Sequence, residues 1–211
     1  MQVTRLVLGA LETNCWIICD DLGGPRAVID PGDEAPRIIE ALEGAPVAYV
    51  VLTHAHFDHI GAVSDLLAAT GAPLVAHMDD AGSLASAETT GGAAFGFNHT
   101  APAPDTLLAD GDSLEVGAVT LTVLHTPGHT PGGICLLATQ SAGAAHLFSG
   151  DTLFSGSVGR TDFPGGDSRE LSRSIARQLA PLDASTTVHP GHGPDTTIAR
   201  EARLNPFWPR A

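Results

Sequence analysis

The segment Thr53-His54-Ala55-His56-Phe57-Asp58-His59 gathers three imidazoles and one carboxylate into six positions, 54 to 59, and no other stretch constrains the chain so tightly. Val47, Val50, Val51 and Leu52 before it read as a buried strand, and Ile60 to Ala69 after it read as the start of a helix. The ligand-type side chains therefore fall on a strand-to-helix loop. Side chains alternate along an extended segment, so His54 and His56 project together while Asp58 and His59 reach a second point. One loop with this spacing can serve two metal ions. Imidazole with carboxylate suits zinc, iron or manganese, and geometry and availability choose among them. The competing reading is a solvated, histidine-rich turn that binds nothing, and the spacing weighs against it.

The rest of the chain supplies strands that end in further candidates. Thr13 to Cys19 and Arg26 to Ile29 read as a hairpin turned at Asp20 to Pro25. Asp30 ends the second strand and reads first as a turn residue, with an accepting role toward the histidines as the alternative. Asp33 is placed to cap a helix whose face carries Ile38, Ile39 and Leu42, before Gly44 stops it. After the histidine cluster, Ile60, Val63, Leu66 and Leu67 make an amphipathic helix closed by Gly71, and Pro73 to His77 a further strand: a β-α-β unit. Residues 89–104 have no period and are rich in Gly and Pro. They form a loop carrying Phe95, Phe97 and His99, either a lid or a surface excursion that tucks its rings inward.

Ser113 to His125 reads as a strand pair turned at Gly117, and His129 follows between tight-turn residues. Ile134 to Leu137 and Ala145 to Phe148 read as a hairpin ending in Ser149-Gly150-Asp151. Asp167 caps a helix with Leu171, Ile175 and Leu179 on one face, and Thr186 to Val188 is a short strand leading to Pro190-Gly191-His192-Gly193. Every candidate ligand thus lies at a strand end, which is where sites are assembled in layered α/β folds.

At 211 residues, 43% of them hydrophobic, the chain is long enough for one good-sized core, and residues 1–211 are expected to form a single domain. The formal charge of -14, with every basic residue an Arg, opposes nucleic-acid binding. Cys15, Cys19 and Cys135 are an odd number set among apolar neighbours and read as reduced, buried thiols. With no signal-like or membrane-length apolar run, a soluble cytoplasmic protein is expected, a monomer or small homo-oligomer that needs no membrane.

Four motifs now stand together: Thr53 to Gly61 around the histidine cluster, Thr126-Pro127-Gly128-His129-Thr130-Pro131-Gly132, Ser149-Gly150-Asp151-Thr152-Leu153-Phe154, and Pro190-Gly191-His192-Gly193. In this order they resemble the metallo-β-lactamase fold hydrolases, and within them the glyoxalase-II-like branch. The resemblance implies an α/β (α+β) fold, a four-layer αββα sandwich. It implies two divalent ions, zinc first, with iron or manganese as alternatives: His54, His56 and His129 on one, Asp58, His59 and His192 on the other, and Asp151 bridging. It also implies catalysis by a metal-held hydroxide oriented by Asp58 and Asp151, at a pKa lowered from ~15.7 toward ~7.

The segment 151–163 resembles the loop in which a cation meets the substrate's carboxylate, which makes Arg160 the anchor of a small anionic substrate and His99 a secondary contact. Pairing with Asp162 or Asp167 is the structural alternative for Arg160. Asp162 stands at the family's loop tyrosine, and the helical extension that completes a glutathione site is not expected after Phe207-Trp208. A thioester is the favoured bond, because a thiolate leaves without a general acid. The alternatives are a persulfide dioxygenase using one iron on residues matching His54, His129 and Asp151, and, further off, a lactonase or β-lactamase. His77, His125, His146 and His189 are expected on the surface or in the core.

Overall fold

A computed structural model describes residues 1–141 and 143–209 of the chain; Ala142, Arg210 and Ala211 lie outside the described residues. Two six-stranded sheets form its centre. The first is laid down in chain order as β1 (Gln2–Leu8), β2 (Thr13–Cys19), β3 (Arg26–Ile29), β4 (Val47–Val51), β5 (Leu74–His77) and β6 (Thr106–Leu108). The second contains β7 (Ser113–Val116), β8 (Val119–His125), β9 (Ile134–Thr139) and β10 (His146–Gly150). A small ribbon, β11 (Leu153–Phe154) with β12 (Ser157–Val158), leads on to β13 (Thr187–Pro190) and β14 (Thr196–Thr197), which complete the second sheet in the order β14-β13-β10-β9-β8-β7.

Period-two alternation explains why the sheets stack. In β2 and β3, Trp16, Ile18, Ala27 and Ile29 face one side and meet Leu121, Val123, Leu136 and Phe148 of the second sheet. Ile17 and Val28 face the other side and pack with Val50 under α1 (Ala35–Ala41) and α2 (Val63–Thr70), through Ile38, Leu42, Val63 and Leu66. On the far face of the second sheet, Cys135, Leu147 and Val188 lie under Leu171, Ile175 and Leu179 of a helix after α3 (Met78–Ala81). That helix is α4 (Ser168–Ser174), which continues through a π-turn over Ile175–Leu179; α5 (Ile198–Leu204) and Trp208 finish this layer. The layers therefore run α-β-β-α, as expected.

Several local readings differ. Asp33 does not cap α1: Glu34 enters at φ 52° with no side-chain cap, and Asp33 takes only the Glu34 N–H, at 2.6 Å. Glu34 is held there by Gly9 N and Arg37, each at 2.8 Å, so tertiary contacts override the local signal. Ile39 is exposed, because the helix buries only a narrow stripe of Ala35 and Ile38, continued by Leu42 at its C-cap. Strands β1 and β6 and helix α5 are not evident from the residues alone. β1 is an edge strand whose pattern is mostly exposed, and β6 has only three residues.

Candidate metal centre

Parallel pairing of β3, β4 and β5 sends the chain out of the first sheet at one edge, and His54, His56 and the 57–59 helical turn follow β4 there. In the second sheet β8, β10 and β13 all point the same way, so His129, Asp151 and His192 follow at one end. The seven residues expected to bind metal are brought together in two groups. One ligand atom each from His54, His56 and His129 lies within 4.8 Å of the others, and so does one each from Asp58, His59 and His192. Asp151 stands between them: Oδ2 is 3.6 Å from His129 Nε2 and 3.8 Å from His192 Nε2, and Oδ1 is 3.4 Å from His59 Nε2.

The hydrogen-bond partners fix which ring nitrogen is free. His129 Nδ1 donates to Arg160 O at 2.7 Å, and His192 Nδ1 to Leu11 O at 3.1 Å. His59 Nδ1 donates to Asp30 Oδ2 at 3.0 Å. Thr53 Oγ1 gives its proton to Asp30 Oδ2 at 2.6 Å, so it accepts from His54 Nδ1 at 3.1 Å. In all four rings the Nε2 lone pair therefore points inward. His54 Nε2 and His129 Nε2 face each other at 3.3 Å, His129 Nε2 meets His56 Nδ1 at 2.8 Å, and His59 Nε2 and Asp151 Oδ1 are buried without a hydrogen-bond partner. Nitrogens and carboxylate oxygens that converge in this way suit a cation between them, and the donor set fits divalent metal.

Electrostatics divides the groups. Burial first, and then the neighbouring rings, keep His54 well below its usual range and bring His56 down to about 3, so both rings are neutral near pH 7 and able to bind a metal. Burial also works against charge at His59 and His192, but Asp58, Asp151 and Asp30 outweigh it at His59, and Asp58 and Asp151 at His192, so both are raised. Burial pushes Asp58 and Asp151 up, and the imidazoles, His59 foremost, win and hold both low.

Asp30 overturns its first reading as a turn residue. It is buried, takes a left-handed φ of 53°, and accepts from Thr53 N at 2.8 Å as well as from Thr53 Oγ1 and His59. The register of β3 on β4 puts it there, and that pairing is not written in either strand. Asp80 was not anticipated at all. Buried at the end of the short α3, it accepts from Ala55 N at 3.0 Å and Thr130 Oγ1 at 2.8 Å through Oδ2, and from Gly132 N at 2.6 Å through Oδ1. Gly132 must lack a side chain here, because a Cβ would strike the backbone and Cγ of Asp80. At Gly191 a Cβ would run into Asp151 and His59.

A groove of about 270 Å³ opens over both groups, lined by His56, Asp58, His129, Asp151 and His192 with Leu11, Phe57, Phe95, Phe97, Arg160 and Phe163. Arg160 forms the fork expected as its structural alternative: Nε and Nη2 each reach Asp162 at 2.8 Å, and the guanidinium lies 3.8 Å over the Phe163 ring. His99 is held by Phe57 O at 3.0 Å and lines a small cavity with Gly32 that adjoins the groove at Leu11, Phe57, Asp58 and Phe97. Among the other histidines, His189 is buried against Trp16 and Phe148 and meets His146 at 2.8 Å. His77, Asp79 and His125 also converge, but the two rings stack at 4.0 Å and 14°, so their in-plane lone pairs run side by side rather than toward one ion. The three cysteines are buried and free, as expected. Among the described residues, no helix is long and apolar enough to cross a membrane.

Comparison with known proteins agrees with this geometry. Residues 8–192 match the metallo-beta-lactamase superfamily. The hydroxyacylglutathione hydrolase GloC of Haemophilus influenzae is 36% identical over 98% of both chains. Among solved structures, the BLEG-1 B3 metallo-beta-lactamase superposes with a TM-score of 0.91 at 38% identity, covering 98% of this chain and 99% of that one. TTHA1623 in a di-iron-bound form gives 0.83 at 38% identity, over 97% of this chain and 100% of the other. The chain belongs to the metallo-beta-lactamase superfamily.

Proposed function

We propose that the protein is a metal-dependent hydrolase of small thioesters carrying an anionic group, working with two divalent ions, zinc foremost. The observation that carries this reading is the placement of the Asp151 carboxylate, within 3.8 Å of His59, His129 and His192, at the floor of an open groove. Two cations held by His54, His56 and His129 and by Asp58, His59 and His192, with Asp151 shared, would supply an acidified water and an electrophilic partner for a carbonyl oxygen.

The chain's own residues do the rest. Asp58, whose Oδ2 is 3.2 Å from His192 Nε2, and Asp151 provide carboxylate oxygens that orient an attacking water and hold its proton. Asp30 and the backbone carbonyls of Arg160 and Leu11 each take the Nδ1 proton, so Nε2 is the nitrogen that these rings offer to a cation. Asp162 occupies two nitrogens of Arg160 and leaves Nη1 for a substrate carboxylate.

Thioester cleavage is favoured over amide cleavage because a thiolate leaves unprotonated, whereas an amide nitrogen must be given a proton. Apart from the candidate ligands, Arg160 is the one titratable group that lines the groove among the described residues. The likeness to BLEG-1 supports β-lactam hydrolysis as the second reading. Parallel assays of metal-loaded protein on S-lactoylglutathione and nitrocefin separate the two. Turnover of the thioester at a kcat/KM at least a hundredfold higher is expected, and the reverse order would overturn the thioester reading.

A further inference from the structure

Four of the seven phenylalanines of the chain line the groove, Phe95, Phe97 and Phe163 at its rim and the buried Phe57 behind them. They form a continuous belt that starts beside a candidate ligand. The Phe163 ring stands 5.5 Å from His56, edge to face, and 6.0 Å from Phe95 across the opening. Phe95 stacks on Phe57 at 5.7 Å, and Phe57 on Phe97 at 5.0 Å. Phe95 is 53% exposed, so the 89–104 loop does not simply bury its aromatic side chains. A contiguous apolar surface left in water next to polar chemistry marks a binding surface.

Charge sharpens the assignment. Arg160 caps one end of the belt, with two nitrogens on Asp162, its face on Phe163 and Nη1 left for the anionic group, so the charge sits at this end and not along the rings. The belt itself contributes no hydrogen-bonding side-chain atom. A hydroxylated or charged acyl group laid against it would lose water and gain no partner, which opposes binding. An alkyl or aryl group would gain both area burial and ring contact.

We infer that this belt is an acyl-group subsite, which makes apolar acyl thioesters, with a medium-length alkyl or an aryl acyl chain, the preferred substrates. The inference rests on the thioester reading and names the half of the substrate that reading leaves open. Hydrolysis of the acyl–sulfur bond by water then yields the apolar carboxylic acid and the free thiol.

The test holds the thiol constant. Metal-loaded protein is assayed on acetyl-, butanoyl-, hexanoyl-, phenylacetyl- and lactoyl-glutathione, and S-methyl- to S-hexylglutathione are titrated by calorimetry as uncleaved probes. Full burial of one methylene corresponds to roughly fourfold, so a half-open belt should raise kcat/KM and tighten Kd about twofold to fourfold per methylene, with phenylacetyl at least tenfold above lactoyl. Phe95→Ala and Phe97→Ala should flatten both slopes toward one. Slopes that are already flat in the unaltered protein, or lactoyl as the best acyl group, would overturn the inference. If the thioethers show the slope while no thioester is cleaved, the belt stands as an apolar subsite and the thioester reading fails instead.

Discussion

Ala55 and Asp80, 25 residues apart, are joined by a buried hydrogen bond of 3.0 Å from the Ala55 N–H to Asp80 Oδ2. Ala55 lies between His54 and His56, and the same carboxylate holds Thr130 and Gly132, which directly follow His129. One side chain therefore sets the distance between the two loops that supply the first ligand group.

Asp80→Ala leaves three buried donors without an acceptor. Each lost partner costs about 1–3 kcal/mol and the losses overlap, so denaturant unfolding of the metal-free protein should show a loss of roughly 2–4 kcal/mol. If Asp80 also positions the ligands, the affinity of the first cation should fall about tenfold to a hundredfold in a chelator competition. Thr130→Val should reproduce part of that loss and Thr130→Ser restore it. Unchanged metal affinity in Asp80→Ala would leave Asp80 a purely structural tie.

Asp30→Asn tests the other hidden carboxylate. Asn can present an N–H to His59 Nδ1 and so favour the wrong tautomer, turning Nε2 from a lone pair into a donor. The second cation should then bind about tenfold to a hundredfold more weakly, and the first should weaken less, because Asp30 reaches His54 only through the Thr53 hydroxyl. Equal weakening of both cations would contradict the assignment of His59 to its own group.

Arg160→Ala should raise KM for an anionic thioester roughly tenfold to a hundredfold with kcat nearly unchanged, the pattern expected when a charged contact is equal in ground and transition states. The comparison is made at low and high salt. The pair with Asp162 is solvent-exposed at both ends, so thermal stability should barely move. A clear drop in Tm with KM unaltered would instead make Arg160 structural.

Asp20 gives a stability prediction with a pH sign. Backbone N–H groups of Gly24 and Ala118 hold its carboxyl below the usual range and tie the β2–β3 turn to the β7–β8 turn of the second sheet. A depressed pKa stabilises the fold above the unfolded value of about 3.9, and that contribution is lost as pH falls through the folded value. Asp20→Asn should therefore lower Tm at pH 7, and the difference should shrink as the pH falls below the unfolded value and through the folded one. A gap that stays constant as the pH falls would mean that the carboxylate's charge is not what matters.

Particular residues show what could be read in advance. The His54 to His59 run, His129, Asp151 and His192 are legible because each follows an apolar strand and precedes a turn, a local signal. The layered fold follows from the same alternation. Asp30 and Asp80 are not legible, because their partners come from strand register and from a four-residue helix, which only tertiary packing fixes. Glu34 shows the same effect at the start of α1, where Gly9 and Arg37 hold it against the capping signal. Arg160 was legible as a cation in the right loop, but its fork onto Asp162 decides how much of its charge is left.

The central claim is that Asp151 joins two ligand groups, and elemental analysis of the purified protein beside its Asp151→Ala variant tests it most directly. The unaltered protein should carry two divalent ions per chain. The variant should retain at most one, keep its fold by circular dichroism, and lose thioesterase turnover by at least about a thousandfold. A single iron per chain with oxygen uptake on glutathione persulfide, or a variant with both ions and full activity, would contradict it.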